Sequence, residues 1–237
     1  MAAGPHGPNQ RGTLECLGEE DMKTDLAIQE DVAEEIRFDP RTDAKDVAVA
    51  VDAGIVTLRG TVKSLYEKWA AEDAARRVGG VRGLVPELTV EPPSSHYRDD
   101  KDIVRSALTG LAANAFIPSG VTVTVHDGHA RLDGKVAWQF QRQMAEDVVR
   151  RVTGIRQITN DIQLTVSVPP VNVQLEIERC FKRDAEVDAD NVTVSTKGSA
   201  VTLRGTAHSW SERETASRAA WSVAGVTAVD NNILITA

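Results

Sequence analysis

The sequence predicts an α+β protein built of three tandem α-β-β-α-β units. One short phrase occurs three times along the 237 residues, as "VTLRGTV" at 56–62, "ARLDGKV" at 130–136 and "VTLRGTA" at 201–207. Aliphatic residues and glycines downstream of each phrase keep a common spacing without a gap. Self-similarity at a fixed period is typical of repeat architectures, so each unit is expected to be one supersecondary structure of about 70 residues.

A glycine inside each phrase sets the register of the repeat: Gly60, Gly134 and Gly205. At one common distance beyond it, each unit has a second glycine followed by Val or Ile. These second glycines are Gly80, Gly154 and Gly225. We expect the first glycine to end the second strand at a tight turn into a helix, where a side chain would meet the turn or the helix.

Each unit opens with an amphipathic helix, because aliphatic residues recur at every fourth position. They are Ile28, Val32 and Ile36 in unit one, Ile103, Ala107 and Leu111 in unit two, and Val173, Ile177 and Phe181 in unit three. A strand of alternating valines follows. A hairpin turn at "DAG", "HDG" or "TKG" then leads into the second strand.

A second, alanine-bearing helix ends near the second glycine, as at an αL cap, and an alternating strand closes the unit. Each unit should therefore have a three-stranded mixed sheet with two helices on one face. The predicted boundaries are a disordered leader at 1–21 and units at 22–92, 98–168 and 170–237. Because units this small have marginal cores and the linkers are short, we expect the units to pack on one another.

Composition narrows the classes of partner. The formal net charge is -8, and nucleic-acid binding is not expected because it needs clustered Lys and Arg to neutralise phosphates. Cys16 and Cys180 lie in different contexts, which favours free thiols in a reducing compartment. No apolar run has the length of a signal-peptide core or a membrane span, so a cytoplasmic protein is predicted.

No catalytic or metal-binding constellation is evident in the sequence. His126 and His129 flank a predicted hairpin turn, but no third ligand lies nearby, and the turn alone explains the segment. The other histidines have no Ser or Cys partner at motif spacing, and the acidic clusters lack the spacing of a calcium loop. The sequence therefore predicts no enzymatic activity, no cofactor and no metal.

Two features are candidates for ligand binding. Arginine pairs at the end of the second helix could clamp a lipid phosphate, although cations there also complement the helix C-terminus. These arginines are Arg76 and Arg77 in unit one, and Arg150 and Arg151 in unit two. Aromatic rings near the starts of the second helices suit a lipid or protein interface, or packing between units. They are Tyr66, Trp69, Trp138, Phe140 and Trp210.

The pattern V-T-L-x-G-x-V, followed by helical alanines, V-x-G-V and a closing alternating strand, resembles the BON domain (bacterial OsmY and nodulation). The segments 54–81 and 200–226 are close to this pattern. The middle copy keeps the pattern, with Asp133 where the others have Arg. The resemblance extends over nearly all of residues 24–237.

This resemblance implies a bacterial, non-enzymatic binding protein of osmotic or envelope stress that attaches to phospholipid surfaces. It implies a fold and not a site, because the recurring glycines Gly60, Gly134 and Gly205 are structural markers of the family. Two alternatives stay open. One is a protein-interaction or self-assembly module whose bare sheet faces bind partner chains, and the other is a small-ion sensor of the potassium type, suggested by relatives.

Overall fold

The structure, a computed structural model, describes residues 23–93, 98–165, 172–183 and 191–236. The predicted leader at 1–21 and Cys16 lie outside the described residues. Within them, each unit has the predicted order α-β-β-α-β and a mixed sheet, which confirms the predicted fold class.

The elements of the three units correspond one to one, with two interruptions in unit two. Unit one comprises α1 (Asp25–Phe38), β1 (Val47–Asp52), β2 (Ile55–Val62), α2 (Leu65–Arg77) and β3 (Gly83–Val90). Unit two comprises α3 (Asp100–Ala113), β4 (Thr122–His126), β5 (His129–Asp133), β6 (Lys135–Val136), α4 (Gln139–Arg150), β7 (Gln157–Asn160) and β8 (Gln163–Leu164). Unit three comprises α5 (Val173–Arg183), β9 (Val192–Lys197), β10 (Ala200–Ala207), α6 (Trp210–Trp221) and β11 (Ala228–Ile235).

The second strand of each unit lies in the middle of its sheet. β2 pairs antiparallel with β1 and parallel with β3, and β10 has the same relation to β9 and β11. In unit two the second and third strands are each interrupted, but Gln163 N donates to the Gly134 carbonyl at 2.9 Å and keeps them paired. A parallel neighbour requires a crossover, and the second helix supplies it.

Both helices of a unit cover the same face of its sheet. The core of unit one combines Ile36 of α1, Leu58 of β2 and Ala74 of α2, all fully buried. The opposite face is exposed, as shown by the alternation of half-buried and exposed residues along β1. This is the burial pattern expected of a sheet with one covered face.

A carboxylate from the first helix holds the hairpin turn in units one and two. Asp25 accepts hydrogen bonds from the backbone N–H groups of Ala53 and Gly54 at 2.8 and 2.9 Å. Asp100 does the same for Asp127 and Gly128 at 2.9 and 3.1 Å. The central residues of both turns have positive φ, as in type I′ hairpins.

Gly60 and Gly205 lie inside the second strand, so their predicted position at its end is wrong, and Gly134 lies at the interruption between β5 and β6. β2 continues beyond Gly60 to Val62, and the φ angles of Gly60, Gly134 and Gly205 are 132°, 141° and 136°. A Cβ at Gly60 would overlap the carbonyl oxygen of Asp46, which immediately precedes β1. The close neighbour is therefore the backbone entering the first strand, and not the following turn or helix.

The second glycines also differ slightly from their predicted role. α2 ends at Arg77 with Val78 as its C-cap in an extended conformation, and Gly80 adopts its φ of 93° only after this cap. Its Cα faces Ile28 of α1, whose side chain would lie 3.0 Å from an added Cβ. The glycine therefore lets the chain pass close to the first helix between α2 and β3.

We expect Gly60→Ala to lower the free energy of unfolding by about 3 kcal/mol, because a side chain at positive φ is strained and the Asp46 carbonyl would have to move. Gly79→Ala is the matched control, since nothing lies within 4 Å of its added Cβ. It should change the free energy by less than about 1 kcal/mol. Urea denaturation measures both, and equal midpoints would contradict the steric requirement.

Candidate functional site

The three units contact one another through their second helices. α2 packs directly against α6. At the other end of α2, the half-buried Leu65 packs against the hydrophobic cores of both unit one and unit two. The units thus pack on one another, in line with the expectation from their short linkers.

The junction between units two and one is formed by arginines stacked on aromatic rings. The Arg150 guanidinium, at the end of α4, lies 4.9 Å from the centroid of the Trp69 ring at the start of α2. Arg151 lies 5.5 Å from the Tyr66 ring, and the two rings stack on each other at 5.9 Å. A cation within about 6 Å of a ring centroid is attracted by the ring quadrupole.

The junction between units one and three uses the same chemistry. The Arg76 guanidinium, near the end of α2, lies 5.8 Å from the Trp210 ring at the start of α6. Arg213 of unit three approaches the same ring at 5.3 Å. Two of the tryptophans singled out from the sequence therefore lie between units, which is the packing role considered for them.

Acidic neighbours already compensate three of the four candidate arginines. Arg150, whose side chain is 13% exposed, pairs with Glu146 at 2.6 Å and Asp147 at 2.7 Å. Arg76 lies 3.4 Å from Glu72. Arg151 makes no ion pair with the residues that the structure describes.

Arg77 belongs to a charged network that joins the two helices of unit one. It pairs with Glu35 at 3.0 Å, Asp39 at 3.1 Å and Asp73 at 2.6 Å. Arg41 pairs with both Asp39 and Asp73, at 2.6 and 2.9 Å. The hydrogen bonds from Arg41 hold the pKa of Asp39 well below its usual range, against the effect of burial, and Arg77 lowers it further.

The Glu72 carboxylate, on α2, is largely buried and lies 3.4 Å from Arg76. Burial raises the pKa of Glu72, while the charges of Arg76, Lys68 and Arg150 oppose that rise. Arg150 comes from unit two, so the electrostatic environment of this carboxylate is set by more than one unit. The arrangement is a junction between units, and Arg150 is largely buried in it.

Unit two exposes a group of rings that we call the aromatic cluster: Phe116, Trp138 and Phe140. They are 63%, 39% and 49% exposed, and the two phenylalanine rings meet edge to face at 6.4 Å. Gln141 ties the cluster together, because its side chain donates to the Phe116 carbonyl and accepts from the Trp138 N–H. Phe116 was not among the residues singled out from the sequence, because its ring meets Phe140 only through the fold.

Trp138 is found at the position where the other two units have a helix-capping serine. The Ser64 and Ser209 hydroxyls each accept a hydrogen bond from a backbone N–H of the first helical turn at 3.1 Å. Trp138, the N-cap of α4, makes no such side-chain bond. Loss of a serine cap costs about 1 kcal/mol, so this position departs from what helix stability favours.

His126 and His129 do not assemble a site. The His129 Nε2 atom lies 2.9 Å from the Thr159 hydroxyl, and His126 is an exposed residue beside Asp127. Among the described residues, no group of three or more His, Cys, Asp or Glu is placed to hold a metal ion. Over the same residues, no helix is both long and apolar enough to cross a membrane.

A small α-β-β-α-β module, repeated three times and joined through its second helices, defines a class of tandem-module proteins. The BON domain family model matches residues 24–92, 99–166 and 171–237, and the chain belongs to this family. The resemblance noted in the sequence is thereby confirmed.

The chain is similar to a known protein in sequence and to a solved structure. The chain is 31% identical over 123 residues to the osmotically-inducible protein Y of Escherichia coli (strain K12), over 50% of this chain and 61% of that protein. A solved structure of CdsD, a structural protein of the type III secretion system of Chlamydia trachomatis, covers 87% of this chain and 91% of its own, with 16% identity and a TM-score of 0.25. So low a score carries no argument about fold or function.

We expect the Trp69–Arg150 contact to show a coupling energy of about 0.5–2 kcal/mol in a double-mutant cycle of the two alanine variants. The free energies of unfolding come from urea denaturation. Trp69 with Arg76 is the control pair, because Arg76 stacks on Trp210 instead, and its coupling should stay below about 0.5 kcal/mol. Equal coupling in the two pairs would show that the stack contributes nothing specific.

The Asp39 network should make stability depend on acid pH. Because the pKa of Asp39 is lower in the folded protein than its ordinary value of 3.8, the carboxylate stabilises the fold above that value, and this is lost as the pH falls through the folded pKa. Asp39→Asn should cost about 2–3 kcal/mol at pH 7 and less as the pH falls below about 4.

The matched control is Asp31→Asn, which removes an exposed ion pair with Lys23. It should cost less than about 1 kcal/mol at pH 7. Thermal or urea unfolding across the acid range measures both variants. A cost for Asp39→Asn that stays constant down to pH 2 would contradict the assignment.

Proposed function

We propose that this chain is a non-enzymatic binding protein of the osmotic stress response that attaches to phospholipid membrane surfaces. The observation that carries the proposal is the aromatic cluster, Phe116, Trp138 and Phe140, which is exposed at one end of unit two. The BON family and the similarity to an osmotically-inducible protein support the stress context. Proteins of this family are not known as enzymes.

The size of the aromatic cluster suits weak, reversible attachment. Burying the exposed parts of the three rings in the lipid interface is worth on the order of 4–6 kcal/mol. This corresponds to a dissociation constant of about 0.04–1 mM in accessible lipid. The Trp138 ring carries a polar N–H group and favours the interfacial region over the hydrocarbon core, so insertion would be shallow.

The charges favour attachment through apolar contact over a phosphate clamp. The chain carries a formal net charge of -8, which opposes approach to an anionic surface. Arg76, Arg77 and Arg150 are already bound by carboxylates within 3.4 Å. Arg151 is the remaining candidate of that set for a phosphate contact.

A second candidate function is self-assembly, and the edge of unit one favours it. β1, with the sequence VAVAVD, lies at the end of its sheet. An apolar edge strand presents unpaired N–H and C=O groups to a partner strand. The outer face beside it also exposes Ile55 and Val85. A second copy of the chain would be the natural occupant, because β1 could pair with its own equivalent.

Co-sedimentation with phosphatidylcholine vesicles tests the proposed attachment. We expect Phe116→Ser combined with Phe140→Ser to reduce the bound fraction at least tenfold, because most of the apolar contact is removed. Binding of the unchanged chain should persist at high salt, since it does not depend on surface charge. Circular dichroism confirms that the double variant is folded.

Phe38→Ser is the matched control, because Phe38 is 71% exposed but stands apart from the aromatic cluster. This variant should leave vesicle binding within about twofold of that of the unchanged chain, because a single isolated ring contributes little to membrane binding. Equal losses for the control and the double variant would remove the cluster from the mechanism. Concentration-dependent association without lipid, abolished by a proline in β1, would favour the assembly function instead.

A further inference from the structure

The three second helices follow one another head to tail. The arginines near the end of α4 lie on rings at the start of α2, and the arginine near the end of α2 lies on a ring at the start of α6. The end of α6 in turn faces the start of α4 across a cleft. The helices thus form a ring of three junctions, of which two are closed by a stacked guanidinium.

The third junction differs at the position that closes the other two. Arg76, Arg150 and Trp221 follow Gly60, Gly134 and Gly205 at the same spacing, so Trp221 stands where the other units have the stacking arginine. Trp221 packs, half-buried, against the core of its own unit. It leaves a cleft of about 1030 Å³ between α4 and α6, which reaches the size range of ligand-binding sites.

The wall opposite Trp221 offers what a stacked cation needs. Phe140 occupies the position of Tyr66 in the repeat and lines the cleft. Gln139 also lines it, and its Oε1 atom is buried without a hydrogen-bond donor among the residues that the structure describes. A buried, unpaired acceptor favours a ligand that brings N–H groups.

The arginines that line the cleft differ in how strongly their charges would repel a positive ligand. Arg150 is neutralised by Glu146 and Asp147, as described above, whereas Arg142 keeps its charge and is held by the Asn160 carbonyl, to which it donates at 3.3 Å. Arg218, on α6, makes no ion pair with the described part of the chain. It is therefore available to an anionic group, while Glu214 on the same helix adds a carboxylate to the lining.

We propose that this cleft binds a small zwitterion of the arginine type, with its guanidinium against Trp221 and Phe140 and its carboxylate at Arg218. The ligand's guanidinium takes the place of the arginine that closes the other two junctions, and rotation of the Gln139 amide toward the cleft lets the ligand's N–H groups donate to its Oε1 atom. Because guanidinium is weakly hydrated and planar, it stacks on rings at a smaller desolvation cost than a compact ammonium. The site shares Phe140 with the aromatic cluster, but arginine binding there does not require the proposed attachment to lipid.

Isothermal titration with L-arginine tests the site, with L-citrulline and agmatine as matched ligands. Citrulline keeps the shape of arginine but has a neutral side chain in place of the guanidinium. Agmatine keeps the guanidinium and lacks the carboxylate. We expect arginine to bind with Kd of about 0.1–5 mM, citrulline at least tenfold more weakly, and agmatine severalfold more weakly. Arginine that does not bind below about 10 mM, or citrulline that binds equally well, would overturn the proposal.

Two variants place the ligand in the cleft. Trp221→Arg restores the residue of the other units and should abolish arginine binding, because the variant supplies its own guanidinium. Arg218→Ala, on the exposed face of α6, should weaken arginine severalfold and should not weaken agmatine, which has no carboxylate for Arg218 to bind. Unaltered arginine binding in folded Trp221→Arg, or equal losses for both ligands in Arg218→Ala, would contradict the assigned pose. Vesicle binding that survives Trp221→Arg separates this site from the proposed attachment to lipid.

Discussion

Burial of α2 on two sides is the constraint on which the arrangement of the molecule depends. Ala70, Ala71, Ala74 and Ala75 are all fully buried. Three of them belong to the core of unit one, but Ala70 does not, so α2 is also covered from outside its own unit. Small side chains let a helix approach both a sheet and other helices closely. The large core residues of unit one accordingly come from α1 and the sheet.

The contacts around α2 explain why charged residues occur in an interior junction. A buried cation is costly unless it is paired, and each junction arginine has either carboxylates or a ring at short range. Arg150 has both, with Glu146 at 2.6 Å and the Trp69 ring at 4.9 Å. A stack between a planar cation and a ring also fixes the relative position of two helices more specifically than aliphatic contact does. The small units therefore gain both stability and a defined arrangement from the same few residues.

The fold could be predicted from the sequence because its signals are local. Ile28, Val32 and Ile36 recur at a helical period, and all three are buried as that period requires. The role of Gly60 was predicted only in part, because its positive φ is local, whereas its neighbour Asp46 comes from a distant segment, just before β1. A sequence pattern shows that a side chain is excluded, but not which distant backbone excludes it.

The candidate site was less predictable, because its contacts cross between units. The arginine pairs were visible as equivalent positions, but their partners Trp69 and Trp210 have different positions in the repeat. Which ring meets which arginine is set by the placement of whole helices, and no spacing encodes that. Phe116 shows the same effect, since it joins Phe140 only after α3 and α4 have packed.

Two departures from the repeat occur at the same junction, between α4 and α6, and they indicate where a ligand would bind. Trp138 replaces the serine cap of the other units, and Trp221 replaces their stacking arginine. Both line the cleft between α4 and α6. Neither tryptophan is needed to build a unit, because the other units fold with different residues at these positions. The junction that they border lacks the stacked guanidinium of the other two, so it should open at a smaller free-energy cost. Whatever fills it would stabilise the folded chain in proportion to its occupancy, and this couples binding at the cleft to the packing of units two and three.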